Sequence, residues 1–513
     1  MRKNRVLILL LTLVFAYRLL ILINSGQSFY SDDAIYAEIA RFWTQGKLSL
    51  VFHPTWPPLY PLLSTFVYLI TQNWEFSLRL LSLISFLAML VFLYYFVDKT
   101  LGRLNAIFYT LSIGFFTPIL KASIYPQSDM LASFLVIAGV ITYLFAIRNL
   151  RYSVFLISGV IFGLTFLVRS EGTLFFSLSL SFLCIHFLCK FLSRKVKFKK
   201  AFFSLLIFTS SFLAVASPYI IATSYQLGEL TLSQKFSAQI KQGHAFQIQK
   251  NGTTWSQEVV SVKTPNYNSE YFRGGFVFLL ENIEWFVFWF NQKYTLWQKM
   301  FLSIFPGFAL LVILLGIIRL TKKYFWETLY LLYLLCLGII VTVFATPLAD
   351  IRYLLWTLPI FLFFFFAGFS NFPFVAFIAF LFFPSLSIST ILNPLEYARG
   401  YTANHYRKEI IQASNWINNN KKTQEPRIMT RYENIEFYSD GNTVYLPQEL
   451  TYVQMIEYAK RQKVDYFIAW TETLSNENNL VFLLEENADT PGLNKVFSTY
   501  SNSRALIIYE VVF

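Results

Sequence analysis

Two adjacent carboxylates, Asp32 and Asp33, follow the first long apolar run of the chain and begin the stretch DDAIYAEIARFW (32–43). Acidic residues beside a membrane-length run are costly, and they usually pair or line a functional cavity. A carboxylate placed against a hydroxyl can take its proton as a general base. Alternatively, one of the two caps the helix predicted over 34–44, because Asp is a favoured N-cap. A helix needs one cap, so two adjacent acids exceed that need.

Glu38 follows the same first run, and further ionisable residues stand at the ends of other apolar runs: Asp129 in YPQSDM (125–130), Arg169 and Glu171 in VRSEG (168–172), Asp350 and Arg352. We expect all of them on one face of a membrane, where sequence-distant segments can converge on one cavity. Simpler roles stay open: Asp129 as a helix cap, Arg169 as a headgroup anchor neutralised by Glu171, and Asp350 with Arg352 as an ordinary loop pair.

The stretch HPTWPPLYP (53–61) is rich in proline. Proline restrains its own backbone and that of the preceding residue, which predicts no regular helix over 54–61. A stiff loop would fix His53, Trp56 and Tyr60 at the outer surface. His53 is then a candidate metal ligand, phosphate partner or proton carrier. The alternative is an interfacial histidine with no such role.

The composition predicts a polytopic membrane protein. Of 513 residues, 56% are hydrophobic and 14% are charged, whereas soluble proteins carry about 25% charged residues. The net charge of +13 lies mainly in short loops, as membrane orientation signals do, and predicts no nucleic-acid partner. The three cysteines all fall in apolar runs, which excludes a disulfide framework or a CxxC motif.

Runs long enough to cross about 30 Å of hydrocarbon predict some eleven transmembrane helices. They lie near 6–24, 77–97, 104–120, 129–147, 153–168, 173–191, 201–223, 298–318, 325–346, 353–370 and 374–392. The first is long for a signal peptide and has no A-x-A-like cleavage site after it, so we interpret it as a retained helix. The shorter stretch 59–72 is predicted to be re-entrant or interfacial.

The basic residues orient these helices. With a cytoplasmic N-terminus, the inner connections include 190–200 and 319–323, which are far more basic than the short outer loops. The segments 25–76, 224–297 and 393–513 then lie outside, and 276–294 is predicted to be an interfacial helix. We therefore divide the chain into a transmembrane core (1–392) and an extracytoplasmic domain (393–513).

The segment 393–513 alternates helical and strand-like patterns, which predicts a small α/β domain. Helices are expected at 408–420, from 433 onward and at 455–460. Strands are expected at 426–430, 443–447, 464–470 and 504–513. No Gly-rich phosphate loop or metal-ligand cluster stands out in it.

The outer stretch resembles the first extracytoplasmic loop of type C membrane glycosyltransferases, such as protein O-mannosyltransferases and lipid A aminoarabinose transferases. The similar elements are the acid pair 32–33, Tyr36-Ala37-Glu38, Gly46 and Pro57-Pro58-Leu59. VRSEG and the layout of a multi-helix core with a C-terminal outer domain are also similar. One departure is that the Glu-Lys preceding the prolines in the aminoarabinose transferases is Thr55-Trp56 here, so metal dependence does not carry over. A divalent metal is neither required nor excluded.

The resemblance implies a hexosyl- or pentosyltransferase of the cell membrane that uses a polyprenyl-phosphate sugar and inverts the anomeric centre. The acceptor is a hydroxyl of a lipid, glycan or protein at the outer membrane face. Its catalytic candidates are Asp32 as base and Asp33; its substrate-binding candidates are Tyr36, Glu38, His53, Asp129, Arg169 and Glu171. Arg169 is the candidate partner of the leaving phosphate.

Two other functions stay open. One is a polymerase or ligase of lipid-linked oligosaccharides with the same architecture. The other is a lipid or sugar transporter, although transporters tend to have repeats and midplane charges, whereas the polar residues here cluster at one face. A membrane-anchored receptor would need far fewer helices.

Overall fold

The computed structural model describes residues 2–30, 32–194, 196–228, 230, 232, 304–345, 351–383, 388–431, 434–447, 450–474, 479–485, 488–501 and 504–512. Asp350, the proposed interfacial helix 276–294 and nearly all of the predicted outer loop 224–297 lie outside these residues. The chain divides into two compact units. The first contains Met1–Asn24 and the helices from Phe42 to Ala398, and the second contains Ser25–Arg41 and Arg399–Phe513. The domain boundary at 392/393 stays a prediction.

The helices of the first unit begin with α1 (Arg2–Asn24), α2 (Asp32–Thr44, whose first ten residues belong to the second unit), α3 (Leu48–Val51), α4 (Leu59–Thr71), α5 (Trp74–Leu101), α6 (Arg103–Phe115), α7 (Thr117–Ile124), α8 (Asp129–Asn149), α9 (Tyr152–Val168), α10 (Gly172–Leu192) and α11 (Phe198–Leu227). They continue with α12 (Gly307–Lys323), α13 (Phe325–Ala345), a 3₁₀ turn (Ile351–Leu354), α14 (Thr357–Gly368), α15 (Pro373–Phe380), α16 (Ile388–Leu392) and α17 (Pro394–His405), which passes into the second unit.

Within the described residues, five helices are long and apolar enough to cross a membrane, and the bent pair α6–α7 makes six if it is one span. Four shorter apolar helices accompany them: Leu59–Thr71, Tyr152–Val168, Phe325–Ile340 and Thr357–Gly368. Three of these have fewer than the roughly 20 residues that a perpendicular span requires, whereas Phe325–Ile340 is part of the 21-residue helix α13. The count of eleven transmembrane helices therefore stays a prediction.

The predicted run 104–120 is broken rather than continuous. Phe116 is extended between α6 and α7, Pro118 lies in the first turn of α7, and the two helices meet at 62°. The buried guanidinium of Arg18, from α1, holds the break: it donates to the Gly114 carbonyl at 2.8 and 3.2 Å and to the Ile119 carbonyl at 3.2 Å. Pro118 has no N–H to pair with the Gly114 carbonyl, and the guanidinium supplies a donor in its place.

Two glycines bring α9 and α11 into close contact. A Cβ at Gly159 would lie 2.4 Å from the Phe208 carbonyl oxygen, and one at Gly163 would lie 3.1 Å from the Phe212 carbonyl oxygen. This GxxxG spacing lets helix backbones approach closely in an apolar surrounding. The close packing on α11 fixes the position of α9, which ends at Val168, directly before Arg169.

Helix α4 begins inside the proline-rich stretch, so the prediction of no regular helix over 54–61 is wrong from Leu59 onward. Pro61 stands in the first turn, where its missing N–H costs no helical hydrogen bond. Tyr60 is consequently helical and buried, and its hydroxyl donates to the Leu78 carbonyl at 3.0 Å.

The second unit contains a five-stranded sheet. Its further elements are α18 (Lys408–Asn420), β1 (Arg427–Thr430), α19 (Asn434–Ser439), β2 (Asn442–Tyr445), α20 (Tyr452–Arg461), β3 (Tyr466–Trp470), α21 (Thr471–Leu474), a 3₁₀ turn (Val481–Leu484), β4 (Leu493–Ser501) and β5 (Arg504–Val511). The strand order is β2-β1-β3-β5-β4. β1 is parallel to β2 and β3, and β5 is antiparallel to β3 and β4. Alternate residues enter two cores, with Ile468 packed on the α18 side and Phe467 on the α20 side.

Candidate active site

Asp32 and Asp33 both lie in the first turn of α2, within the second unit. Negative charge is favourable there because the helix dipole is positive at its N-terminus. Asp33 is fully buried, and its Oδ1 accepts the Tyr30 backbone N–H at 3.1 Å while its Oδ2 accepts the Gln27 amide N–H at 3.3 Å. Both donors precede the helix, so Asp33 binds the incoming segment. Asp32 is half-buried.

Tyr36 and Glu38 lie farther along the same helix. Tyr36 is buried. Glu38 forms an ion pair with Arg41 at 2.6 Å, and Arg41 also contacts Asp440 at 2.5 Å. Glu436 is a neighbouring acid: burial, with a smaller contribution from Glu38, raises its pKa. Glu38 therefore belongs to an ionic cluster of the second unit.

In the first unit, His53 lies in the loop between α3 and α4. Its Nδ1 accepts the Thr55 backbone N–H at 3.1 Å, and its carbonyl accepts the Tyr219 hydroxyl at 2.8 Å. The Trp56 ring packs edge-on against the imidazole at 4.9 Å. Burial lowers the pKa of His53 to about 4. The ring is therefore neutral at pH 7, and we infer that its proton is on Nε2 because Nδ1 is an acceptor.

Three of the predicted residues come together at the end of α9. The Arg169 guanidinium donates through Nη1 to Asp129 Oδ1 and through Nη2 to Glu171 Oε1, the latter at 3.1 Å. The turn between α9 and α10 is tight because Gly172 packs on the α9 backbone, where a Cβ would lie 2.4 Å from the Phe166 nitrogen. The sequence-distant Asp129 thus meets the VRSEG turn within one unit.

The loop before Asp129 is held from α5. The buried Arg79 donates from Nε to the Ile124 carbonyl at 2.9 Å, and the Ser82 hydroxyl donates to the Tyr125 carbonyl at 2.8 Å. These side chains donate to backbone carbonyls at the end of α7 and in the loop that follows it. They thereby fix the position at which α8 begins.

A second guanidinium approaches the same cluster. Arg352 donates to Gln127 Oε1 at 3.2 Å and to the Tyr353 hydroxyl at 3.1 Å. The Tyr353 ring has Arg169 at 5.4 Å and Arg352 at 5.0 Å from its centroid, within the range of cation–π attraction. Gln127 and Tyr353 were not identified from the sequence because neutral side chains in short loops have no charge signal.

The residues therefore form two sets, each described within its own unit. The second unit holds Asp32, Asp33, Tyr36 and Glu38, and the first unit holds His53, Asp129, Arg169 and Glu171. In the described part of the chain, no group of three His, Cys, Asp or Glu side chains is arranged to hold a metal ion.

One segment of the chain matches a known protein family. Residues 54–221 match the family model of the dolichyl-phosphate-mannose-protein mannosyltransferases. This match contains Asp129, Arg169 and Glu171 and begins after the acid pair. None of the curated proteins compared with the chain matches it.

Among solved structures, the apo oligosaccharyltransferase of Archaeoglobus fulgidus is similar over 92% of this chain and 70% of its own, with 12% identity and a TM-score of 0.55. ArnT from Cupriavidus metallidurans is also similar. Its apo form is 11% identical over 100% of this chain and 99% of its own with a TM-score of 0.49, and its form bound to undecaprenyl phosphate is 12% identical over 98% of each chain with a TM-score of 0.48. The match over residues 54–221 and the shared fold confirm the predicted resemblance to type C membrane glycosyltransferases, and the chain is an integral membrane protein.

Proposed function

We propose that this protein transfers a sugar from a polyprenyl-phosphate-linked donor to an acceptor hydroxyl on the outer side of the membrane. The observation that carries the proposal is the family match over residues 54–221, because the matched family is named for dolichyl-phosphate-mannose, a sugar of this class. The same segment contains the ion-paired cluster of Asp129, Arg169 and Glu171. The outer location rests on the distribution of basic residues.

Asp32 is the proposed general base. Asp33 is buried and both of its oxygens accept hydrogen bonds from the preceding segment, whereas Asp32 is half-buried. Asp32 takes the proton of the acceptor hydroxyl as the oxygen attacks the anomeric carbon. The bond from that carbon to the phosphate oxygen breaks, and the lipid phosphate leaves with the electron pair. A single displacement of this kind inverts the anomeric configuration.

The leaving phosphate requires positive charge. Arg169 is shared between Asp129 and Glu171, so these three side chains carry formal charges that sum to −1. We therefore assign Arg352 as a second cation for the phosphate, because its guanidinium and that of Arg169 both lie against the Tyr353 ring. Asp129 and Glu171 orient Arg169 in this proposal.

His53 contributes no positive charge. Burial lowers its pKa to about 4, so a role as a cationic phosphate partner or a proton carrier near pH 7 is unfavourable. Its proposed role is a neutral N–H donor toward the substrate. Tyr36 and Glu38 act in the same proposal by shaping the helix that presents Asp32.

A panel of radiolabelled donors tests the function. Membranes containing the protein are given single sugars on polyprenyl phosphate and, separately, lipid-linked oligosaccharides. Membranes lacking the protein serve as the control. Transfer from a single-sugar donor supports the proposal. Transfer from oligosaccharides alone would favour a polymerase or ligase, and sugar movement into vesicles without any transfer would favour a transporter; either result overturns the proposal.

A further inference from the structure

The segment that carries the acid pair, Ser25–Arg41, belongs to the second unit. It is hydrogen-bonded to residues 402–407 of the same unit. The Gly26 N–H donates to Thr402 Oγ1 at 2.8 Å, and the Arg407 N–H donates to Ser28 Oγ at 2.7 Å. These contacts join residues separated by more than 370 positions in the sequence.

Aromatic rings hold the next two residues of the segment. Phe29 packs against Phe437 with a centroid distance of 5.0 Å, and its backbone N–H donates to the Tyr438 hydroxyl at 2.9 Å. Tyr30 packs edge-on against Trp470, the last residue of β3, at 5.5 Å. Buried aromatic pairs of this kind add stability beyond their buried area. These contacts within the second unit thus fix the backbone just before Asp32.

One contact reaches the acid pair itself through a side-chain relay. The buried Tyr401 hydroxyl donates to Gln27 Oε1, and Gln27 Nε2 donates to Asp33 Oδ2 at 3.3 Å. An amide that accepts on its oxygen must present its nitrogen on the other side. Tyr401 therefore sets the amide orientation that Asp33 needs.

We propose that Tyr401 and Gln27 are positioning residues, which orient the Asp32–Asp33 pair within the second unit for the transfer reaction. This inference rests on the proposed function for its effect on rate. Without the Tyr401 hydroxyl, the Gln27 oxygen loses this donor, so the amide is held less firmly and its hydrogen bond to Asp33 weakens. The preceding segment then restrains the first turn of α2 less firmly through Asp33, and Asp32 moves with that turn. Displacements of about 1 Å can cost about a hundredfold in rate.

The test compares Tyr401→Phe with Tyr509→Phe in the full-length protein. Tyr509 is a matched control because it is also buried in the second unit and donates one hydrogen bond, to the Leu483 carbonyl at 2.9 Å, away from the acid segment. Amide hydrogen exchange over 27–36 is measured first, and it requires no enzyme activity. We expect faster exchange in Tyr401→Phe and wild-type exchange in Tyr509→Phe. Unchanged exchange in Tyr401→Phe overturns the inference even where sugar transfer is absent.

Kinetics then test the path through Gln27. We expect Tyr401→Phe to lower kcat by about tenfold to a hundredfold with the donor KM unchanged, and Tyr509→Phe to leave both near wild type. Residues that act in one relay are not additive, so Tyr401→Phe combined with Gln27→Leu should be no slower than Gln27→Leu alone. Losses that multiply in the double variant, or an equal loss in Tyr509→Phe, would overturn the relay. Failure of wild-type transfer refutes the proposed function instead, and exchange still decides the inference.

Discussion

The Asp129–Arg169–Glu171 cluster predicts a graded loss of stability, because its members differ in burial. The side chains of Asp129, Arg169 and Glu171 are 8%, 12% and 30% exposed. Arg169→Met leaves the buried Asp129 carboxylate without its cation, and breaking a buried pair in this way costs about 3–5 kcal/mol. Asp129→Asn keeps the shape and removes a charge-assisted bond, at a cost of about 1.5–3 kcal/mol. Glu171→Gln should cost about 0–1 kcal/mol, as exposed pairs do.

The free energy of unfolding is measured by reversible SDS titration in mixed micelles, followed by circular dichroism. Arg399→Met is the matched control, because Arg399 is exposed on α17 and surface substitutions usually change stability by less than about 0.5 kcal/mol. The expected order of loss is Arg169→Met, then Asp129→Asn, then Glu171→Gln. A loss in Glu171→Gln as large as that in Asp129→Asn, or a loss below about 1 kcal/mol in Arg169→Met, would refute this reasoning.

Three further variants test buried groups elsewhere. Arg18→Met removes the donors to the Gly114 carbonyl and should lower the midpoint of the same SDS titration by the equivalent of about 1–3 kcal/mol or more. Arg18→Lys should restore only part of this loss. A wild-type midpoint in Arg18→Met would contradict the role of Arg18. Burial holds the pKa of His53 at about 4, below its ordinary 6.5, so the unfolded chain binds the extra proton between these values and stability falls as pH drops through that window. His53→Gln should flatten this slope in midpoints taken from pH 7 to 4, and an unchanged slope would exclude His53 as its source. Burial raises the pKa of Glu409, so Glu409→Gln should raise the thermal midpoint at pH 7.5 and lose that gain near pH 4.5; destabilisation at pH 7.5 would show that the charge is needed.

Local periodicity was sufficient to predict several elements of the chain. The helix expected over 408–420 is Lys408–Asn420, and the helix expected over 34–44 is Asp32–Thr44. The amphipathic spacing of 408–420 matches a helix with one buried face, whereas the helix over 34–44 was predicted from the acid pair at its start. The strand Leu493–Ser501 was not predicted, because it mixes polar and apolar residues at the edge of the sheet. Edge strands are only half covered and therefore have a weak hydrophobic pattern.

The candidate site was predicted in part. Charge at the ends of apolar runs identified Asp129, Arg169 and Glu171, which the fold brings together. The roles of these residues stay predictions, as do those of the acid pair. The pairing of Gln27 with Tyr401 could not be predicted from the sequence. Neutral polar side chains that are 374 positions apart give no pattern of charge or periodicity that would link them. Tertiary contacts of this kind depend on the whole fold and not on propensity.

The rate of sugar transfer by Asp32→Asn tests the proposed chemistry most directly. Wild type, Asp32→Asn and the control Asp98→Asn are compared at saturating labelled polyprenyl-phosphate sugar; Asp98 is also a half-buried acid but lies near the far end of α5. Loss of a general base lowers kcat by about 10²–10⁴-fold. We expect a loss in that range for Asp32→Asn and wild-type transfer for Asp98→Asn. Wild-type transfer by Asp32→Asn would contradict base catalysis at Asp32.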